Sequence, residues 1–277
     1  MKGKVYLVGA GPGDPELLTV RALRLLQTAE AVLYDELVSP EILQLISPAA
    51  QIHNVGKGSG QKKIKQEEIN FLMAALADSG LQVVRLKSGD PLVFGRAGEE
   101  IESLRGAGIA YEIVPGVTSA LGAAAAAQIP LTHRHASSAL VLLTAQQASG
   151  SEAADWSKLA GSGATLVIYM PGQNYAELSA KLKAAGLNGQ TPCAVISRAT
   201  TASQSIHRTT IAELRHAPQL VSPTLLVVGE VVRFAKADDF DEFVVPAVHG
   251  SEASLPAGGF TGFPSMQDHR GDEEPIA

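Results

Sequence analysis

Short apolar runs alternate along the chain with longer stretches in which apolar positions return every three or four residues. Val5-Tyr6-Leu7-Val8, Ala31-Val32-Leu33-Tyr34 and residues 83–86 and 111–114 have the length of buried strands. Residues 15–29, 40–46, 66–77, 96–106 and the alanine-rich 119–128 have helical spacing. Strand followed by helix, repeated, predicts βα units and a mostly parallel sheet. After Ile129-Pro130-Leu131-Thr132 and the polar His133-Arg134-His135, the pattern restarts with strands at 139–143, 165–170, 194–197, 205–209 and 224–228. The expectation is an α/β protein of two domains, 1–132 and 133–248. A tail over 249–277, dominated by glycine, serine, proline and acidic residues, has little to bury and is expected to be disordered.

The composition of the 277 residues, 45% hydrophobic and 18% charged, is that of a globular chain with a sizeable core. No apolar run approaches the roughly 20 residues of a membrane helix, and Met1-Lys2-Gly3-Lys4 leads into a strand without a cleavage pattern. A cytoplasmic protein, neither spanning nor exported, is expected. The net charge of -6 argues against non-specific nucleic-acid binding, which needs a basic surface to release counterions. The single cysteine, Cys193, opens an apolar run with no histidine or lysine nearby in sequence, which reads as a core thiol. No metal-ligating cluster stands out.

Directly after the first strand comes Gly9-Ala10-Gly11-Pro12-Gly13-Asp14-Pro15, a turn whose glycines allow positive φ and close approach of a ligand to the backbone. Asp14 can cap the following helix, Pro15 suits its first position, and Glu16 favours its positive end. A dinucleotide fold is the obvious rival, with Asp35 standing near the expected acidic position. Against it, the third glycine falls one place early and Asp14 would repel a pyrophosphate.

Longer motifs follow the same order. Val8 to Thr19 of the glycine loop, Val32-Leu33-Tyr34-Asp35, Leu37-Val38-Ser39-Pro40, Val55-Gly56-Lys57 and Gln66-Glu67-Glu68-Ile69-Asn70 are joined by Val84-Arg85-Leu86-Lys87, Gly89-Asp90-Pro91 and Val93-Phe94-Gly95-Arg96. Val114-Pro115-Gly116-Val117-Thr118-Ser119-Ala120, Ile129-Pro130-Leu131-Thr132-His133-Arg134 and Val227-Val228-Gly229 complete the set. In these motifs the chain resembles the uroporphyrinogen-III C-methyltransferases of the tetrapyrrole methylase family. The resemblance implies a two-domain tetrapyrrole methylase fold with S-adenosylmethionine held folded in the cleft between the domains and S-adenosylhomocysteine as product.

Carried over residue by residue, the resemblance assigns cofactor contacts to Pro12 in the glycine loop and to Ser88, Gly89, Asp90 and Val93 in a second loop. Thr118 and Ser119 fall in a third loop, and Met170 and Ala199 come from the second domain. Each has a plain structural alternative: Asp90 before a proline can cap a turn, Thr118 or Ser119 can cap the alanine helix, and Met170 can close an apolar strand. Asp35 matches the family's proposed proton acceptor and Lys57 its proposed donor, the alternative being solvated loop charges. A substrate ringed by carboxylates needs cations, and Lys87, Arg96, His133 and Arg134 are the expected ones, with Lys62, Lys63 and Lys65 as possible steering charges.

The implied reaction is S-adenosylmethionine-dependent methylation of uroporphyrinogen III at carbons 2 and 7, giving precorrin-2 for sirohaem or cobalamin, by a homodimer. No oxidising and chelating domain is recognised in the chain, so precorrin-2 is expected to pass to another enzyme. Departures cluster on the substrate side: Glu36 stands where the family has arginine, Gly58 follows Lys57 in place of arginine, and Ser88, Ala97 and His135 replace glycine, glycine and aspartate. These keep open a paralogue acting on another tetrapyrrole or a non-catalytic S-adenosylmethionine binder. Ser88 raises a steric question if its position needs positive φ. A same-fold enzyme acting on protein or RNA is disfavoured by the acidic balance.

Overall fold

The computed structural model describes residues 2–56, 64–146 and 155–235. Lys57, Lys62, Lys63 and the 249–277 tail lie outside the described residues.

The first sheet is built from β1 (Lys4–Gly9), β2 (Ala31–Tyr34), β3 (Gln51–Asn54), β4 (Val83–Lys87) and β5 (Ala110–Val114), in the order β3-β2-β4-β1-β5. Every pairing in it is parallel. Helices α1 (Val20–Thr28), α2 (Pro40–Leu43), α3 (Gln66–Asp78) and α4 (Ala97–Gly106) cover its two faces. Because side chains alternate across a strand, Val5, Leu7, Leu33 and Val83 meet Ile69, Met73 and Leu104 of α3 and α4, while Val8, Val32, Val84 and Leu86 meet Ala22, Leu26 and Ile42 of α1 and α2. Both faces are dry, as parallel sheets require.

The second sheet comprises β6 (Leu140–Thr144), β7 (Thr165–Tyr169), β8 (Pro192–Ser197), β9 (Ser205–Thr210) and β10 (Thr224–Val228), in the order β6-β7-β10-β8-β9. Only β6 and β7 pair in parallel; the other three pairings are antiparallel. One face packs on Trp156 of α6 (Trp156–Ala160) and on Tyr175, Leu178 and Leu182 of α7 (Tyr175–Ala184). The other face, with Val167, Ala194, Ile196 and Val227, receives Ala120 and Ala123 of α5 (Ser119–Ala126). The alanine helix therefore follows the last strand of the first sheet in sequence but buries its small side chains on the second, and it ties the two lobes together. Cys193 is buried in the second core, and that burial pushes its thiol up to about 12, which leaves it without nucleophilic character.

Several elements differ from their sequence expectation. The stretch 15–29 is a 3₁₀ turn, Pro15–Leu17, followed by α1, with Thr19 as the true cap: its hydroxyl accepts from the Ala22 amide at 3.1 Å. Asp14 caps the 3₁₀ turn instead. Strand β3, Gln-Ile-His-Asn, is a polar edge strand, and its weak alternation hid it. Helices α6 and α7 are further elements between the predicted strands.

At the carboxyl edge of the first sheet, a Cβ built on Gly9 would fall 2.6 Å from Cα of Gly116, and one on Gly116 would run into the carbonyl oxygen of Gly89. Both obstacles are backbone. Gly116→Ala is expected to destabilise the chain by about 1–3 kcal/mol through overpacking, read as a lowered midpoint of urea unfolding; an unchanged midpoint would show that the loops have room to separate.

Candidate functional site

Parallel strands place every following loop at one edge of the sheet, and four of those loops converge here. Gly11 and Gly89 exchange backbone hydrogen bonds, Gly11 N–H to Gly89 O at 3.1 Å and Gly89 N–H to Gly11 O at 2.7 Å. Asp90 then spans to the third loop, accepting from Leu92 N–H at 2.8 Å and from Gly116 N–H at 3.0 Å. The glycine loop is fastened on its far side too. Ser39 Oγ donates to Gly13 O at 2.7 Å, and the Asp14 N–H donates to Thr200 Oγ1 of the second lobe at 3.1 Å.

From the second lobe, Tyr169 closes the junction. Its hydroxyl accepts the Ala120 N–H at 3.1 Å and shares a hydrogen bond with Thr118 Oγ1 at 2.6 Å, so it caps the first turn of α5 across the lobe boundary. Its ring lies 4.8 Å from that of Phe94. Burial holds the phenol above its ordinary pKa, so it stays protonated in neutral solution. Backbone strain collects around this junction: Phe94, Arg96, Met170, Arg198 and Thr200 all have φ between 45° and 66°. Non-glycine residues in that region are held there by their surroundings, and they gather at functional sites.

Beneath the loops sits a cluster of charge. Arg85, 2% exposed, gives Nη2 to Asp35 Oδ1 at 2.6 Å and Nε to Glu100 Oε1 at 2.9 Å. Lys87 Nζ lies 2.9 Å from Glu100 Oε1 and 4.0 Å from Asp35 Oδ2. Burial, then repulsion from Arg85, lowers the Lys87 ammonium below the ordinary lysine range despite the pull of Glu100 and Asp35. Asp35, at the carboxyl end of β2, keeps 31% of its side chain exposed.

The predicted residues are therefore placed as follows. Pro12 packs its ring on Gly122 of α5, whose Cβ would come within 2.5 Å of it, and Gly13 faces Ala199 O and Thr201 in the same way. Ser88 has an ordinary backbone, the positive φ of 68° falling on Gly89, so the steric question at Ser88 is answered by its neighbour. Ser119 Oγ lies close to Gly89, Ala199 is buried against the second core, and Met170 is 41% exposed just past β7. Val93 packs against the same core. Lys87 is almost fully buried, with its ammonium on Glu100. Arg96 is exposed and forked onto Glu99 at 2.8 and 2.7 Å. His133 stacks on Phe234 at 4.0 Å and accepts from the His135 N–H, with Arg134 exposed in the same turn. Gly56, the residue before Lys57, packs against the backbone of Glu36.

Tyr169, Arg85 and Glu100 were not among the predicted site residues. Two cations alternating on a central strand covered on both faces were a readable signal, since such charges must find buried partners. A separate cavity of about 380 Å³, lined by Tyr6, Leu25, Thr28, Ala29, Gln82 and Val84, lies toward the amino ends of β1 and β4, away from this edge.

The arrangement defines a two-lobed α/β protein with a site at the carboxyl edge of a parallel sheet. The family described as Tetrapyrrole (Corrin/Porphyrin) Methylases matches residues 4–215, and the chain belongs to that family. It is 51% identical to siroheme synthase 2 of Aeromonas hydrophila over 232 residues, 83% of this chain and 49% of that protein. The chain thus spans about half the length of the curated relatives it matches. Among solved structures it is similar to the native form of uroporphyrin III C-methyl transferase from Thermus thermophilus, with a TM-score of 0.74 and 39% identity over 83% of this chain and 99% of that one. The same enzyme complexed with S-adenyl homocysteine gives the same TM-score of 0.74, identity of 39% and coverage of 83% and 99%.

Tyr169→Phe removes one hydroxyl and strands the buried Ala120 N–H. A loss of about 1–3 kcal/mol in unfolding free energy is expected, the cost of an unsatisfied buried donor; a loss below about 0.3 kcal/mol would mean that α5 does not depend on this cap across the lobe boundary.

Proposed function

We propose that the chain transfers methyl groups from S-adenosylmethionine to carbons 2 and 7 of uroporphyrinogen III, giving precorrin-2. The observation that carries this reading is the 39% identity over nearly the whole of a uroporphyrin III C-methyl transferase that was crystallised with S-adenyl homocysteine. The residues present suit that cofactor. At the carboxyl edge of β1, β4 and β5, Gly9 and Gly116 let the loop backbones close on one another, which fixes the loops that would border the cofactor. Gly89, Ser88 and the exposed thioether of Met170 line the surrounding loops, with Thr118, Ser119 and Ala199 beside them. Asp90 is committed to Leu92 and Gly116, so its part is to hold the loops in place.

When bound, the sulfonium supplies an already activated methyl group, so the work left to the chain is positioning and proton handling. As a ring carbon of the reduced macrocycle takes the methyl, the ring nitrogen becomes cationic. A proton on a neighbouring carbon then leaves, and its bonding pair neutralises that cation. Asp35, anchored by one oxygen and partly exposed, is the proton acceptor in this reading. Lys57, the residue after Gly56, is the donor in this reading, its proton going to the imine nitrogen left in the methylated macrocycle. Arg96 and Arg134 are exposed and receive the macrocycle's carboxylates. Among the described residues no helix is long and apolar enough to cross a membrane; we assign a homodimer acting in the cytoplasm.

Incubation of the purified chain with methyl-labelled S-adenosylmethionine and enzymatically made uroporphyrinogen III under anaerobic conditions is expected to yield a doubly methylated tetrapyrrole. Asp35→Asn is expected to lower kcat about a hundredfold while leaving S-adenosylhomocysteine affinity within about twofold. Binding of S-adenosylhomocysteine with no methylated product would overturn the reading.

A further inference from the structure

Three of the four charges beneath the site never reach solvent. Arg85 and Lys87 point the same way from β4, and Glu100 of α4 meets both with one oxygen, Oε1, which also accepts from Gln66 Nε2 at 3.3 Å. Glu100 is 0% exposed, and its second oxygen, Oε2, has no hydrogen-bond partner among the described residues. A buried cluster of this kind rarely gains stability over apolar side chains of the same volume, so its presence asks for another reason. The outer end of the cluster is Asp35. Arg85 Nη2 engages Asp35 Oδ1 at 2.6 Å, while Asp35 Oδ2 stands 4.0 Å from Lys87 Nζ, beyond hydrogen-bonding distance.

We propose that Arg85 and Glu100 are positioning residues of the methyl-transfer site: Glu100 fixes the guanidinium fork from within the core, Arg85 fixes Oδ1 of Asp35, and Oδ2 is left as the oxygen that receives the ring proton. This inference rests on the reading of Asp35 as proton acceptor. In the transfer the ring C–H bond breaks, its electron pair stays with the macrocycle, and the proton forms a bond to Oδ2. A guanidinium is suited to the task because its planar fork is itself held at Nε by Glu100 and at Nη1 by the Leu86 carbonyl, so Nη2 meets Oδ1 from a fixed direction, which a lone ammonium would not impose.

The cluster also sets the balance of charge that Asp35 faces. Two cations, Arg85 and Lys87 on β4, balance two carboxylates, Glu100 on α4 and Asp35 itself; α3 contributes the neutral Gln66, and Glu36 follows on the loop of Asp35. Neutralising Glu100 leaves two cations facing Asp35, so its ionisation moves to lower pH. Neutralising Arg85 leaves Lys87 alone against two carboxylates, so the ionisation moves to higher pH.

The test uses the full chain, with Glu100→Gln as the principal variant because it keeps shape and the Oε1 acceptor, and Arg85→Gln and Arg85→Lys beside it. The carboxyl carbon of Asp35 is titrated by NMR in chains carrying labelled aspartate, with Asp35→Asn to assign the signal, and kcat and KM are measured across pH. Glu100→Gln is expected to move the Asp35 titration and the acid limb of kcat to lower pH, and Arg85→Gln to move both to higher pH. Each is expected to cost about tenfold in kcat with KM for S-adenosylmethionine within about twofold, and Arg85→Lys to recover the titration more than the rate. A merely structural cluster would lower the unfolding midpoint and displace the titration, but would leave kcat of the folded variants within about twofold at their pH optimum. A titration in Glu100→Gln that matches the unaltered chain, or moves to higher pH, overturns the proposal. Because the NMR titration needs no turnover, it reports on the cluster even if uroporphyrinogen III proves not to be the substrate.

Discussion

At the carboxyl edge of the first sheet three backbones, at Gly9, Gly89 and Gly116, approach with no side chain between them. Much else in the site depends on that approach. It lets the first and second loops exchange hydrogen bonds through Gly11 and Gly89, and it brings the third loop within reach of the Asp90 carboxylate. With the loops drawn together, the glycine loop can extend past α5 to the second lobe, where Thr200 receives the Asp14 amide and the Pro12 ring seats on Gly122. One methyl group at Gly9 or Gly116 would have to move main chain, and protein interiors give little room for that.

The second constraint is electrostatic. A parallel sheet covered on both faces is a poor place for charge, yet β4 carries Arg85 and Lys87 into it. Their partners come from different elements, Glu100 from α4 and Asp35 from the end of β2, so the cluster fixes the relation of three elements as well as satisfying its members. Specificity of arrangement, more than stability, is what such clusters contribute where they contribute at all. In this chain it leads outward to a half-exposed carboxylate at the edge where ligands of open α/β sheets bind.

Much of this was legible in the sequence. Strand-like runs marked nine of the ten strands among the described residues to within a residue or two, and the glycine loop announced a close approach. Edge strand β3 escaped because Gln51, Ile52, His53 and Asn54 lack the alternation of a half-buried strand. The start of α1 was misplaced because Asp14 and Thr19 are both competent caps, and only the packing of Ala22 and Leu26 decides between them. Tyr169 escaped for a different reason: its ring reads as core, and nothing local indicates that its hydroxyl reaches α5 in the other lobe. The burial of Lys87 was not legible either, because Glu100, the partner that meets it, lies 13 residues away on α4. Such pairings are set by tertiary structure and leave no periodic trace.

The central claim is that the glycine-floored edge and the strained residues of the second lobe form one cofactor cleft. Crystals of the full chain grown with S-adenosylhomocysteine test it most directly. The account predicts density for the ligand bounded by Gly11 and Pro12, by Ser88 to Asp90, and by Met170 and Ala199, with its sulfur on the side of Asp35. Density in the cavity beside Tyr6 and Gln82, with that edge clear, would contradict it.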